Sequence, residues 1–397
     1  MLKKSLQNIL SSIIGALINL VILIYTSNKL GAEGRGVYTY FITTLALVQL
    51  VISIMGNSIM VYMMNKQGSK PILILSTLWA IGISIVSAFV IISIDDFYYN
   101  HFWLLFWLNL FQAIFQNTCT YLVYLSAFTK LSIIKIVQPL IVLLLLFSTY
   151  LNSPIQFLNY VWMSYFPFVF YFLYVFFNVL NIEKLRSSLW ESFKSYFKLG
   201  ILAQTGNLMQ FTSYRFTVWL LVIYVSFSEI GVFGLWLSFY EMILLIAVNI
   251  AQVNYSYVAA GKKSMNLKKI SLLNFAFIVI ACVIFYLIPT NFYEVILGKD
   301  FSSLKNLVLI STFGVSSLSV AKIYASFFSA KGFIKYNTVA SAVGFIIILS
   351  ISFPLVRNYG ITGAVIANSI SYFATTCVTV LIYRYVYKPK ERRLLND

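Results

Sequence analysis

The chain has 397 residues, of which 60% are hydrophobic, 18% aromatic and only 10% charged, and 28 Lys and Arg against 11 Asp and Glu give a formal charge of +17. A water-soluble domain carries about 25% charged residues, and no stretch of about 100 residues here has the ordinary composition of a soluble catalytic domain. That leaves an all-α integral membrane protein as the fold class, and it leaves the basic charge to be explained without nucleic acid, because the cations are scattered over short segments between apolar runs, where anionic inner-leaflet lipids attract them.

Met1 to Lys4 and the apolar run that follows, as far as Tyr25, read as an uncleaved first helix. The run is too long for a leader's apolar core, and Ser27-Asn28-Lys29 lacks the small-residue cleavage pattern. Further spans are predicted at 36–64, 71–93, 102–128, 132–151, 156–180, 197–225, 229–259, 269–289, 303–330, 333–355 and 360–386, the first being 6–28. In hydrocarbon a backbone has no water partner, so each run must satisfy its hydrogen bonds internally as a helix. Pro139 and Pro167 fall inside spans and are expected to kink them by removing a backbone donor. His101 stands beside Asp95 and Asp96 in an outer loop, and a single His excludes a His-based metal cluster. Cys119, Cys282 and Cys377 lie inside spans with no ligand or disulfide spacing. No metal site or cofactor is expected, and without a Gly-rich phosphate loop an ATP-driven pump is unsupported.

Orientation follows from the basic residues. With the N-terminus cytoplasmic, twenty-one Lys and Arg fall on inner segments and five (Lys29, Arg35, Lys299, Lys305, Arg357) on outer loops. A missed span would scramble that asymmetry, so both termini are expected in the cytoplasm. The charged segment after Asn181 divides the chain into an N-terminal six-helix bundle over 1–181, a cytoplasmic linker over 182–196, and a C-terminal six-helix bundle with a basic tail over 197–397. Two echoes suggest duplication: Gly36-Val37-Tyr38 against Gly231-Val232-Phe233, and Leu125-Ser126-Ala127-Phe128 against Phe328-Ser329-Ala330-Lys331. Halves of six spans enter the membrane in the same sense, which puts a substrate site near mid-depth between them.

Away from the span ends only Arg215 and Lys322 are basic, and only Glu241 is a deep carboxylate. A charge near the bilayer centre costs about 2.5–3.5 kcal/mol on insertion scales, so these should face a wet cavity or a partner. Arg215 and Glu241 sit at similar depth on a hairpin and can pair; equally, Arg215 can bind an anion while Glu241 takes up a coupling ion. Lys322 either snorkels to the inner interface or is left for an anionic ligand. Polar residues also recur at helical spacing: Asn8, Ser12, Asn19 and Thr26; Asn109, Gln112, Gln116 and Thr120; Gln204, Asn207 and Arg215; Glu241, Gln252 and Ser256; Ser319, Lys322, Ser326 and Ser329. A shared aqueous cavity explains the stripes together, and hydrogen-bonded helix packing, worth about 0.6 kcal/mol per contact, explains them separately. The cavity reading takes Arg215, Lys322, Gln204, Asn207, Asn109, Gln112, Gln116 and Asn19 as substrate-binding candidates and Glu241 as the coupling or ion-pair residue; none is catalytic.

The run Asn28-Lys29-Leu30-Gly31-Ala32-Glu33-Gly34-Arg35-Gly36-Val37-Tyr38 resembles the opening of bacterial Wzx-type O-antigen and capsule-unit flippases of the multidrug/oligosaccharidyl-lipid/polysaccharide (MOP, MATE-like) superfamily. Ser329-Ala330-Lys331-Gly332 and Asn358-Tyr359-Gly360-Ile361-Thr362-Gly363-Ala364-Val365-Ile366-Ala367 resemble that family's last hairpin. The resemblance implies two bundles alternating between inward- and outward-open states. The implied cargo is an undecaprenyl-pyrophosphate-linked oligosaccharide moved from the cytoplasmic to the periplasmic leaflet of a bacterial inner membrane. It implies a polysaccharide polymerase and a chain-length regulator as further partners. A multidrug exporter of the superfamily would be expected to carry acidic residues in the N-terminal bundle, and spans 1 to 6 hold no deep Asp or Glu. The resemblance to peptidoglycan-precursor flippases implies fourteen spans, and a membrane glycan polymerase calls for a larger outer loop than any here.

Overall fold

A computed structural model of the chain describes residues 2–179, 189–259 and 266–387. Lys262, Lys263, residues 182–188 of the expected linker and the basic tail after Tyr387 lie outside the described residues, as do the side chains of Asn8 and Ser256. Among the described residues there is no β-strand.

Among the described residues, eight helical stretches are long and apolar enough to cross a membrane, and two of them, of 57 and 54 residues, are too long to do so once, since a hydrocarbon core of about 30 Å takes about 20 residues. Both are folded at glycines. The first divides into α1 (2–30) and α2 (32–52) at Gly31, where φ is +65°, and continues through a short turn and an extended Gly56 into α3 (Asn57–Gln67). Then come α4 (Ser69–Ile94), α5 (Phe102–Tyr124), α6 (Phe128–Ser148), α7 (Pro154–Val179), α8 (Leu189–Tyr224), α9 (Phe227–Ala259), α10 (Leu267–Leu287), a short α11 (Thr290–Leu297) and α12 (Leu304–Ala330). The second long stretch divides into α13 (334–359) and α14 (361–381) at Gly360, where φ is +54°. Pro139 and Pro167 lie inside α6 and α7, each assigned helical throughout. The non-helical breaks inside the two longest stretches fall at positive-φ glycines, because only a residue without Cβ enters that region cheaply.

The chain packs as two compact units. One comprises Met1–Lys29 and Phe41–Thr205, the other Leu30–Tyr40 and Gly206–Asp397. In the first, α5 lies against α4, α6 and α7, around a core that includes Met55, Met60, Phe111 and the fully buried Tyr196. Tyr196 belongs to the beginning of α8, and its hydroxyl is 2.9 Å from Ser76 Oγ. The chain thus changes unit inside a helix, after Thr205. In the second unit α12 is central, packed on α9, α10 and the last long stretch. Trp236 Nε1 donates to Ser311 Oγ at 2.8 Å, and Thr376 Oγ1 donates to the Ser317 carbonyl at 2.8 Å. The start of α2 belongs to this unit because it crosses α9 backbone to backbone: a Cβ at Gly36 would lie 1.8 Å from the Phe227 carbonyl oxygen.

The helices α5 and α12 end in the same way. After α5, the amides of Leu125, Ser126 and Ala127 donate to the carbonyls of Tyr121, Val123 and Leu122. After α12, those of Lys331, Gly332 and Phe333 donate to Phe327, Ser329 and Phe328. Both are six-to-one helix stops with a left-handed residue, Ser126 in one (φ 55°) and Gly332 in the other (φ 78°). The structural equivalence therefore pairs Leu125 with Lys331, three residues along from the pairing that letter-matching suggests.

Candidate functional site

The second unit gathers its charged and phenolic side chains around α8 and α9. An Arg215 Nη donates to Glu241 Oε1, the Arg side chain being 19% exposed and the carboxylate 47%. The next residue back, Tyr214, has other partners. Its ring carries the Lys322 ammonium 5.0 Å from the centroid and meets the Tyr372 ring edge-on at 5.2 Å. Its phenol oxygen accepts from Gln210 Nε2 at 2.8 Å, one helical turn back. The Tyr372 hydroxyl donates to that of Tyr240 at 3.2 Å, and Tyr240 precedes Glu241. Deeper still, Thr217 Oγ1 is 3.4 Å from Asn368 Oδ1. So α8, α9, α12 and α14 each contribute to one polar node inside the second unit.

Arg35 joins this picture from an unexpected place. Flanked by Gly34 and Gly36 it reads as an outer-loop cation, yet it is 3% exposed and stacks 4.9 Å from the Tyr38 ring on α2. Tyr38 lies within electrostatic range of both Arg35 and Arg215. The signal that could have found it is the same pair of glycines, read as a close helix crossing rather than as a loop.

The neutral candidates are distributed differently. Asn109 is fully buried and spent on packing: it donates to its own helix at Leu105 and accepts from Gln49 Nε2 at 3.2 Å. Gln204 is buried and donates to the Ser53 carbonyl at 2.9 Å, where Gly200 of α8 meets Ile54. Gln112 is half-buried, and Asn19, Gln116 and Asn207 are exposed. Gln204 belongs to the first unit and Asn207 to the second. Among the described residues no cluster of His, Cys, Asp or Glu could hold a metal ion.

In chemical terms the two cations of the node are answered differently. Arg215 is neutralised by Glu241, whereas Lys322 rests on an aromatic face, which stabilises an ammonium without cancelling its charge. Taking these three groups alone, one positive charge is left over.

The architecture is that of multi-span helical flippases and exporters. The lipid II flippase MurJ in an inward-closed conformation has this fold with a TM-score of 0.73 at 12% identity, over 97% of this chain and 88% of that chain. The MATE multidrug transporter DinF-BH gives 0.66 at 18% identity over 96% and 94%. An inward-facing multidrug resistance MATE family transporter of the MOP superfamily gives 0.63 at 13%, over 93% and 94%. No protein-family model and no curated protein matches the sequence.

Proposed function

We propose that this chain is a flippase for a lipid-linked oligosaccharide, of the Wzx type, working by alternating access rather than as an enzyme. Its twelve spans form two six-helix bundles with both termini cytoplasmic, in a bacterial inner membrane. The cargo is an undecaprenyl-pyrophosphate-linked repeat unit moved from the cytoplasmic to the periplasmic leaflet, for use by a polymerase and chain-length regulator. The observation that carries this reading is the node of Arg215, Lys322 and Glu241 in a fold shared with a lipid II flippase. A pyrophosphate needs cations where water is scarce, and the node leaves one unanswered. The other fold-mates export drugs, and for a cationic drug an excess of positive charge would be the wrong sign.

The test is a strain that assembles a surface polysaccharide and lacks this protein, with lipid-linked units assigned to a leaflet. Complete units should accumulate out of reach of the periplasm, and the chain should restore access. Lys322→Ala should fail to restore it while Lys322→Arg restores part. Normal export with Lys322→Ala at wild-type abundance sinks the role given to Lys322, and units reaching the periplasm without the protein sink the flippase reading.

A further inference from the structure

We propose that Tyr214 is the positioning residue that presents Lys322 to the anionic head group of the cargo. This rests on the flippase reading of Lys322. A lysine has a long flexible stem and a compact charge, so by itself it samples many places, including a snorkelled pose toward the inner interface. Here its ammonium lies 5.0 Å from the Tyr214 centroid. That ring is held from two sides, by Gln210 Nε2 on the phenol oxygen at 2.8 Å and by the Tyr372 ring edge-on at 5.2 Å. Tyr372 is itself fully buried and fixed to Tyr240. The seat is therefore rigid and the ammonium on it is not neutralised: three donor hydrogens remain, and an aromatic face supplies no competing carboxylate. Adjacent on the same helix, Arg215 faces Glu241. Adjacent residues of α8 thus involve two cations in different states, Arg215 paired with Glu241 and Lys322 of α12 presented without a carboxylate, and an arriving pyrophosphate finds Lys322 unpaired.

Affinity of the purified full-length protein for farnesyl pyrophosphate, with farnesol as the uncharged control, tests this. Tyr214→Leu should weaken pyrophosphate binding about tenfold, the order of a desolvated cation–π contact, and leave farnesol binding where it was. Tyr214→Phe keeps the ring and should stay within about threefold of wild type. Lys322→Ala should weaken binding at least as much as Tyr214→Leu, and on that background Tyr214→Leu should add nothing, because the seat has no occupant. If Tyr214→Leu does not fold, Gln210→Leu frees the phenol while leaving the ring and should weaken binding about threefold, the size of one lost hydrogen bond. Additive losses from Tyr214→Leu and Lys322→Ala overturn the positioning role alone, as does wild-type affinity in Tyr214→Leu. Wild-type affinity in Lys322→Ala overturns the reading beneath it as well.

Discussion

Gly36 and Gly231 pack on each other reciprocally. A Cβ on Gly36 would lie 1.8 Å from the carbonyl oxygen of Phe227, four residues before Gly231, and a Cβ on Gly231 would lie 1.8 Å from that of Ala32, four residues before Gly36. Each would also stand 3.0 or 3.1 Å from the other glycine's amide nitrogen. The contact is a local two-fold between the openings of two equivalent spans, and no flexible side chain is there to give way. Gly36→Ala and Gly231→Ala should each destabilise the folded protein by ~1–3 kcal/mol, the cost of overpacking, and by similar amounts. Once one alanine has parted the helices the second has room, so the double variant should lose much less than the sum. Thermal unfolding in detergent gives all three values, and strict additivity contradicts a single shared crossing.

The duplicated helix stop gives a second comparison. Ser126 and Gly332 occupy equivalent left-handed positions, and only the glycine does so without a Cβ clash. Ser126 is exposed, with space for the exchange. Ser126→Gly should stabilise the protein by ~0.5–1 kcal/mol and Gly332→Ser should destabilise it by about as much. Opposite signs in a melting experiment are the outcome expected; the same sign in both would mean the two turns are not equivalent.

Arg215 and Glu241 are paired but unequal. Arginine cannot shed its proton, and its side chain is the less exposed of the two. The Glu241 side chain, 47% exposed against 19% for Arg215, is the less stranded when its partner is removed. Glu241→Ala should therefore cost ~2 kcal/mol, near the lower end of insertion penalties for a stranded cation, and Arg215→Ala clearly less. The double alanine variant should be more stable than Glu241→Ala alone. Equal single losses that simply add would show that the two groups act independently.

The helices were legible because most of them are long apolar runs. The site was legible only in part. Charges stand out in such a sequence, so Arg215, Lys322 and Glu241 could be found, but Tyr214, Tyr240 and Tyr372 are three among 28 tyrosines and nothing in spacing separates a seat from filler. Helical periodicity marked Asn109 and Gln204 as members of two polar stripes without saying whom they bond, and both form hydrogen bonds between segments of the first unit. Arg35 was misplaced because glycine on both sides serves a loop and a close crossing equally well. The echo at the ends of α5 and α12 was offset by three residues because the turn is specified by hydrogen bonding and a positive φ, which different residues can meet.

The buried pair Ser76 and Tyr196 ties the first part of α8 to the first unit, and its hydrogen bonds run in one direction. Ser76 Oγ donates to the Ile72 carbonyl at 2.8 Å, so the phenol, 2.9 Å away, is the donor to Ser76. Tyr196→Phe removes that donor and leaves Ser76 still satisfied by Ile72, at a cost of ~1 kcal/mol. Ser76→Ala instead strands a hydroxyl on a side chain with no exposure, which costs ~1–3 kcal/mol. The smaller deletion should be the more damaging one, and adding Tyr196→Phe to Ser76→Ala should restore stability toward that of Tyr196→Phe alone. Melting temperatures of the three variants decide this. If Tyr196→Phe proves the worse single change, the phenol has a second partner that matters more than Ser76, and the attachment of α8 to this unit must be sought there.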